Sequence, residues 1–399
     1  MNLSQRTDWH NQPNKLTVLL DSLRKRGRTI LDLTVSNPTK CGFEYPDNEI
    51  LTVFANPLSL SYEPNPRGLL FAREAVCEYY QKKDIIVEPS NIFLTASTSE
   101  AYSILFKLLC DAGDSVLVPK PSYPLFDYLA QLNDVQLKYY NLRYDDEWHV
   151  DIDSFKNLKI EKIGKIKAIV LVNPHNPTGV FIKKNEYERI KDFAREHNLA
   201  LIVDEVFIDY AFENDENRIT STAGETEVLT FTLNGISKMI GLPQMKLGWI
   251  IVNGQRSIVN EAMERLEIIC DTFLSVNTPV QFALPRLMNH GIQVQKQIRE
   301  RIKTNYTMLK NLTSTHGSSV YTPCSMLNAE GGWYGIIRVP RTKSDEAWAL
   351  QLLENKSIYV HPGYFFDFDE DGYLVVSLLV EENLFASAVK EIIDYITNI

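Results

Sequence analysis

The chain has 399 residues, a formal net charge of −10, and 44% hydrophobic and 23% charged residues. That length allows two to three domains of ordinary size and a large core, and the acidic balance excludes a basic nucleic-acid or anionic-membrane binder. No apolar run reaches the roughly 18–20 residues of a membrane span, and residues 1–6 lack the apolar stretch of a secretory signal. Five scattered cysteines, odd in number and without metal spacing, predict free thiols in a reducing cytoplasm and no metal site.

In chain order, strand-like apolar runs occupy residues 91–95, 115–119, 168–172, 199–204, 228–233 and 247–252. Amphipathic patterns at 99–110 and 185–197 read as helices between them. The alternation predicts an α/β fold, a largely parallel sheet sandwiched by helices. After Gly254 the character changes. Two long helical patterns, about 255–270 and 279–312, lead to a shorter α/β segment from about Tyr321 to the end.

Several strand ends carry polar groups. The first run leads into Thr95-Ala96-Ser97-Thr98-Ser99-Glu100, a helix start whose free N–H groups and dipole suit a phosphate, although a plain N-cap explains the same residues. The 168–172 run feeds Asn173-Pro174-His175-Asn176-Pro177-Thr178-Gly179, the next ends in Asp204-Glu205, and the third leads to Gly235-Ile236-Ser237-Lys238. An amide, a carboxylate and a lysine thus sit at the carboxyl edge of one sheet, where open α/β sheets bind ligands. A pyridine cofactor with an aldehyde needs these three: a donor for its phenolic oxygen, an anion at its ring nitrogen, and an amine for Schiff-base formation. Taken singly, Asn176 could be a turn residue, Asp204 a helix cap and Lys238 a solvated loop lysine.

Taken together and in this order, from about Leu31 to about Gly363, these stretches resemble the pyridoxal-phosphate enzymes of the class I/II aminotransferase superfamily (fold type I, aspartate aminotransferase-like). The resemblance implies pyridoxal 5'-phosphate as cofactor, with Lys238 as its Schiff-base lysine, Asp204 at the ring nitrogen and Asn176 at the phenolic oxygen. Tyr123, in Pro121-Ser122-Tyr123-Pro124, matches the aromatic that stacks on the ring. Ser97, Thr98 and Ser99 match the phosphate cup, and Ser237 joins the cofactor-binding set. Tyr62 matches a tyrosine lent by the partner subunit, which implies a homodimer with active sites at the subunit interface. It also implies a large domain of residues 46–285 and a small one of 1–45 and 286–399, which includes a long linking helix. The implied reaction moves an amino group from a small-molecule donor to a keto acceptor in ping-pong half-reactions. A lyase, decarboxylase or synthase is the alternative on the same fold. A cofactor-binding regulator would carry a DNA-binding domain, for which nothing before Leu31 speaks. A purely structural protein leaves Asn176, Asp204 and Lys238 together unexplained.

Some positions depart from the family pattern. Phe207 stands where a tyrosine would point a hydroxyl at the phenolic oxygen, and Gly235 where a serine or threonine often touches phosphate. Lys246 replaces the phosphate-binding arginine, keeping the charge but not the planar fork. Val375, in Tyr373-Leu374-Val375-Val376-Ser377, replaces the arginine that clamps the substrate's α-carboxylate. Thr272 falls where aspartate aminotransferases carry a second arginine, and Ser36 replaces a glycine. Candidate substrate-binding residues are therefore Ser36 itself and the substitute cations Lys40, Arg67, Arg338 and His361. Phe43, Tyr45, Tyr364, Phe365 and Phe366 are expected near an apolar mouth, with a core role as the plain alternative.

Overall fold

The computed structural model describes residues 3–9, 12–157, 165–315 and 323–398. The expected start of the last segment at Tyr321 lies outside them. Eight strands form the main sheet in the order Ile92–Thr95, Gly248–Asn253, Thr230–Gly235, Ala200–Asp204, Ile166–Val172, Ser115–Lys120, Gln136–Tyr144, Trp148–Val150. The four from Thr230–Gly235 to Ser115–Lys120, with Gln136–Tyr144 beside them, pair in parallel, as the alternation of runs and helices predicts. Gly248–Asn253 runs antiparallel to both of its neighbours.

The central strands are buried on both faces, and the period of two sorts their side chains. Ala168, Val170 and Ile202 pack in one core cluster with the helices Thr98–Leu109 and Arg256–Phe273. Ile169, Leu171, Leu201 and Val203 pack on the other face with Ile190 and Ala194 of the helix Lys184–His197. Uninterrupted Val/Ile/Leu runs are what such two-sided burial requires.

A second, four-stranded antiparallel sheet joins Ser325–Leu327, Tyr334–Arg338, Tyr373–Ser377 and His361–Pro362. The amino end packs beside it: Leu33 O accepts from Ser377 N–H (2.7 Å), Leu31 pairs with Ile358 in a separate two-stranded sheet, and Leu16, Leu20, Leu23 and Leu33 share a cluster with Trp348, Leu352, Phe385 and Ile392.

Three features differ from the sequence reading. Gln136–Tyr144 and Trp148–Val150 form an edge hairpin, half-exposed and therefore without a continuous apolar run. The direction of Gly248–Asn253 is set by its neighbours rather than by its own composition. The helix expected over 279–312 is two helices, Thr278–His290 and Ile292–Thr315, parted at Gly291. A Cβ at Gly291 would lie 2.5 Å from Ile240 Cβ, so the break lets the backbone press against the segment after Lys238.

Glu330 ties three segments together. Its N–H donates to Gly179 O (3.1 Å) and its carbonyl accepts from Phe212 N–H (2.9 Å). Its carboxylate accepts from Phe181 N–H (2.8 Å), from Arg218 Nη2 (3.0 Å) and from Lys183 Nζ. Removing this carboxylate leaves Asp215 as the remaining carboxylate for Arg218 and Lys183 and strips an acceptor from a backbone N–H. Glu330→Ala is expected to lower stability by about 2 kcal/mol, with Glu330→Gln costing less. Urea unfolding at constant slope measures it; an unchanged midpoint would rule the role out.

Candidate active site

The carboxyl edge is level because the register makes it so: Val172 lies opposite Asp204, and Asp204 opposite Leu233. The loop after Val172, the residue ending the next strand and the short helix Ile236–Met239 after Gly235 therefore open on one cavity of about 260 Å³. Ser97, Thr98, Ser99, Tyr123, Asn176, Asp204, Phe207, Ser237, Lys238, Lys246 and Ser36 all line it.

The Asn176 loop is fixed from both sides. Asn173 N–H donates to Asp204 O (2.8 Å), and Asn173 Oδ1 accepts from Ile182 N–H (3.0 Å). His175 Nδ1 lies 3.0 Å from Thr178 Oγ1, and burial pushes its imidazole down to about 3, so it is a neutral strut. Gly179 has φ +72° and packs so closely that a Cβ would lie 2.3 Å from Gly331 O. Asn176 Oδ1 is buried without a hydrogen-bond partner. Turned by 180°, the amide presents its NH₂ at the same point.

Asp204 is buried, with Oδ1 accepting from Val206 N–H (3.1 Å) and Oδ2 from the Tyr102 hydroxyl (3.2 Å). Burial raises its carboxyl to about 6, against the pull of those donors and of Lys238. Lys238 Nζ lies 4.8 Å from the Trp333 ring centre and 5.8 Å from that of Phe207. Burial lowers its ammonium to about 8, while Asp204 acts in the opposite sense. Carbonyls around the short helix are held by side chains: the Tyr210 hydroxyl donates to Lys238 O (2.6 Å), Gln295 Nε2 to Met239 O (2.7 Å) and the Tyr45 hydroxyl to Gly241 O (2.7 Å).

Ser97 caps the helix Thr98–Leu109, its hydroxyl accepting from Glu100 N–H (3.1 Å) while Glu100 Oε2 accepts from Ala96 N–H (2.6 Å). Cap and anion site coexist, because the first-turn N–H groups of a helix have no acceptor within it. Lys246 adds a cation from a left-handed residue (φ 52°), a conformation that costs a non-glycine roughly 1 kcal/mol. Gly235 lies opposite Gly248, and a Cβ on it would lie 2.8 Å from Gly248 Cα, so no hydroxyl-bearing side chain fits there.

Other candidates lie elsewhere. Tyr62 is 79% exposed and lines a separate hollow with Phe273, Ser275 and Gln281. Arg67 is committed, with Nε (3.1 Å) and Nη2 (2.7 Å) on Glu267 and Nη1 (2.7 Å) on Ser90 O. Arg338 lies over the Tyr144 ring, and Lys40 is exposed at the end of Pro38–Lys40. His361 is no substitute cation: burial among aromatic rings pushes it down to about 4, so it is neutral near pH 7. Val375 is wholly buried between Ile336 and His361, and the Thr272 hydroxyl turns back onto Ile268 O (3.0 Å). The expected apolar mouth is also corrected. Phe43 and Phe366 are core residues, Phe365 packs against that core, Tyr45 props the chain after Lys238, and Tyr364 is exposed outside the cavity lining. The aromatic walls are instead Tyr102, Tyr123, Phe126, Phe207 and Tyr334. One of the missed residues had a signal: Tyr102 stands four positions after Thr98, on the same helix face. Tyr334 arrives from the second sheet, and nothing local in its sequence marks it.

The chain matches the profile of the family described as aminotransferase class I and II over residues 59–391. It is 28% identical over 383 residues to the glutamate-pyruvate aminotransferase AlaA of Haemophilus influenzae, covering 94% of this chain and 93% of that protein. It is 24% identical over 380 residues to the tyrosine aminotransferase of Mus musculus, covering 92% of this chain and 81% of the relative. In fold it is similar to the alanine aminotransferase of Pyrococcus furiosus, with a TM-score of 0.87, 22% identity and full coverage of both chains. With that span of residues matched and that fold shared, the chain belongs to the class I and II aminotransferase family.

Proposed function

We propose that this aminotransferase carries pyridoxal 5'-phosphate in the cavity at the carboxyl edge of its main sheet, attached to Lys238. The observation that carries the reading is the meeting of Lys238, Asp204, Asn176 and a helix amino end with Lys246 around one cavity. The donor set fits the group. Thr98, Ser99 and Lys246 suit a phosphate, the Tyr123 ring suits a planar pyridine, and the orphaned buried amide of Asn176 gains a partner in its phenolic oxygen.

When bound, the cofactor supplies an aldehyde that condenses with amines and a ring that takes up the electron pair left on the substrate carbon. Asp204, ionised, holds the proton at the ring nitrogen. Asn176 donates to the phenolic oxygen without the second hydroxyl that a tyrosine at Phe207 would give. Lys238 Nζ would be the group that takes up and returns the proton of the substrate carbon. Tyr102, Phe126, Val172, Val206 and Phe207 line the cavity and keep it low in water, so these charges act at close to full strength. Tyr62, exposed and sharing a surface hollow with Phe273, fits a role in the neighbouring subunit of a homodimer. The division into domains of 46–285 and of 1–45 with 286–399 suits a site roofed by Tyr334 of the second sheet. The five thiols, free in the structure, suit a reducing cytoplasm.

Borohydride treatment of the reconstituted protein should fix a pyridoxyl group on Lys238, read by peptide mass mapping. Its appearance on another lysine, or on none, would remove this assignment.

Attachment requires the neutral amine, and with its ammonium lowered to about 8 instead of the usual 10.5, Lys238 is half neutral near pH 8. The rate of cofactor attachment to the apo-protein should rise through about pH 8. Asp204 favours the charged amine, so Asp204→Asn should move the midpoint lower. Stopped-flow absorbance across pH reads both; a midpoint near that of a free lysine would contradict the burial argument.

The substrate end of the cavity is neutral. Among the described lining residues the cations are Lys238 and Lys246, and the remaining polar wall near the mouth is Ser36 and the Tyr334 hydroxyl. A bidentate guanidinium–carboxylate contact is worth about 1.5–3 kcal/mol net, so the lack of one for a side-chain carboxylate, with Thr272 where aspartate aminotransferases carry an arginine, lowers kcat/KM for acidic donors by roughly 10- to 150-fold, whereas loss of an α-carboxylate clamp affects all α-amino acids alike. Aspartate and glutamate should be poor donors beside aromatic or aliphatic ones, although the Haemophilus influenzae relative is named for glutamate. Steady-state rates across acidic, aromatic, aliphatic and simple amine donors test this, and efficient turnover of aspartate would overturn it.

A further inference from the structure

Among the cavity hydroxyls that neither the motif nor the departures from it account for, that of Tyr102 is bonded to a site carboxylate. Tyr102, on the second turn of the helix Thr98–Leu109, is 2% exposed, and its hydroxyl donates to Asp204 Oδ2 at 3.2 Å. Its ring is held edge-on by Phe126 at 5.2 Å and tilted against Phe106 at 6.1 Å, so the hydroxyl is aimed by packing. The helix whose amino end offers N–H groups to an anion therefore also supplies a donor to the carboxylate at the opposite end of the same cavity.

We propose that Tyr102 is a positioning residue of the transamination, which holds the Asp204 carboxylate in place and keeps it ionised so that it can pair with a protonated ring nitrogen. The inference rests on the reading that the cavity holds pyridoxal phosphate. Asp204 Oδ1 is taken up by Val206 N–H, so Tyr102 fixes the remaining oxygen, and with it the plane of the carboxylate. The groups that face this carboxylate are Tyr102 from its helix, Lys238 from the short helix after the adjacent strand, and Tyr123 from the loop after Ser115–Lys120. Tyr140 lies behind Tyr102. Glu205, the next residue, is buried on the other side, where its carboxylate accepts from the Ser221 hydroxyl and from Thr222 N–H. Of these, Tyr102 and Lys238 favour the ionised carboxylate, and Lys238 ceases to be a free ammonium once it carries the cofactor. Tyr102 then becomes the side-chain donor on which the charge of Asp204 depends. Burial has already raised that carboxyl to about 6, so losing a donor pushes it further towards neutrality at working pH.

Tyr102→Phe keeps the ring and its packing and deletes only the O–H. The carboxylate must be ionised, and it is ionised above its pKa. A raised pKa therefore makes cofactor retention fail at higher pH as the solution is acidified. The acid-side midpoint of retention should move up by at least about half a pH unit. Donor kcat should fall about 10-fold, with KM changed less than about twofold. In an Asp204→Asn background the same substitution should have no further effect on retention or kcat. In the cofactor-free protein, the ¹³C-detected titration of the Asp204 carboxyl should likewise move up in Tyr102→Phe. An unmoved Asp204 titration in the apo-protein, superimposable holo-profiles, or an equal effect in the Asp204→Asn background would each overturn the inference. If borohydride fails to mark Lys238 in the unmodified protein, the cofactor assignment fails instead, a result separate from all of these.

Discussion

The structure depends on keeping a carboxylate and an ammonium together in a cavity that is a poor solvent for both. Asp204 is raised to about 6 and Lys238 lowered to about 8 by the same burial, and each pulls the other back towards its charged form. Such groups are tolerated only where donors and acceptors are already arranged around them. Asp204 has a backbone N–H and a phenol, and Lys238 lies against two ring faces. The parallel sheet makes the arrangement reproducible. Once Val172, Asp204 and Leu233 share a register, the groups that follow them are delivered to one level.

Much of this was legible in the sequence because the sheet's central strands leave the strongest local trace. Two-sided burial demands continuous apolar runs, and those runs end where chemistry begins, so Asn176, Asp204 and Lys238 could be read as strand-end groups. The edge hairpin Gln136–Tyr144 and Trp148–Val150 left no such trace, since half-exposed strands need no uninterrupted apolar run. Gly291 looked tolerable in a long helix because its reason, Ile240 against its backbone, lies 51 positions away in sequence. Charges were the least legible. Arg67 and His361 are cationic or titratable by residue type, but Glu267 neutralises one and aromatic burial the other, and both facts are tertiary.

The departures from the family pattern become consistent once packing is considered. A Cβ on Gly235 would lie 2.8 Å from Gly248 Cα across the antiparallel pair, which leaves no room for a hydroxyl-bearing side chain there and leaves that end of the cavity to the helix amides and Lys246. Phe207 gives up a hydroxyl but gains an edge-on contact with Trp333 at 5.2 Å, and the same two rings lie against Lys238. An ammonium over aromatic faces is stabilised without a hydrogen-bonding oxygen that would hold its proton as tightly as a carboxylate does. Such a setting favours an amine that can give up its proton, as the proposed role of Lys238 requires.

Charge is therefore distributed unevenly along the cavity. The end formed by Ser97, Thr98, Ser99 and Lys246 is built for an anion, the floor carries Asp204, and the mouth, with Ser36 and Tyr334, is neutral. Val375, which stands where the resemblance places an arginine, is part of the core: it is sealed between Ile336 and His361, and the same apolar packing pushes His361 down to about 4. The part of the cavity with Ser97, Thr98, Ser99, Lys246 and Asp204 carries the charge, whereas the part with Ser36 and Tyr334 offers hydroxyls and rings. A ligand at that mouth would be held by shape, apolar contact and neutral hydrogen bonds, which discriminate the body of a molecule better than they hold a carboxylate.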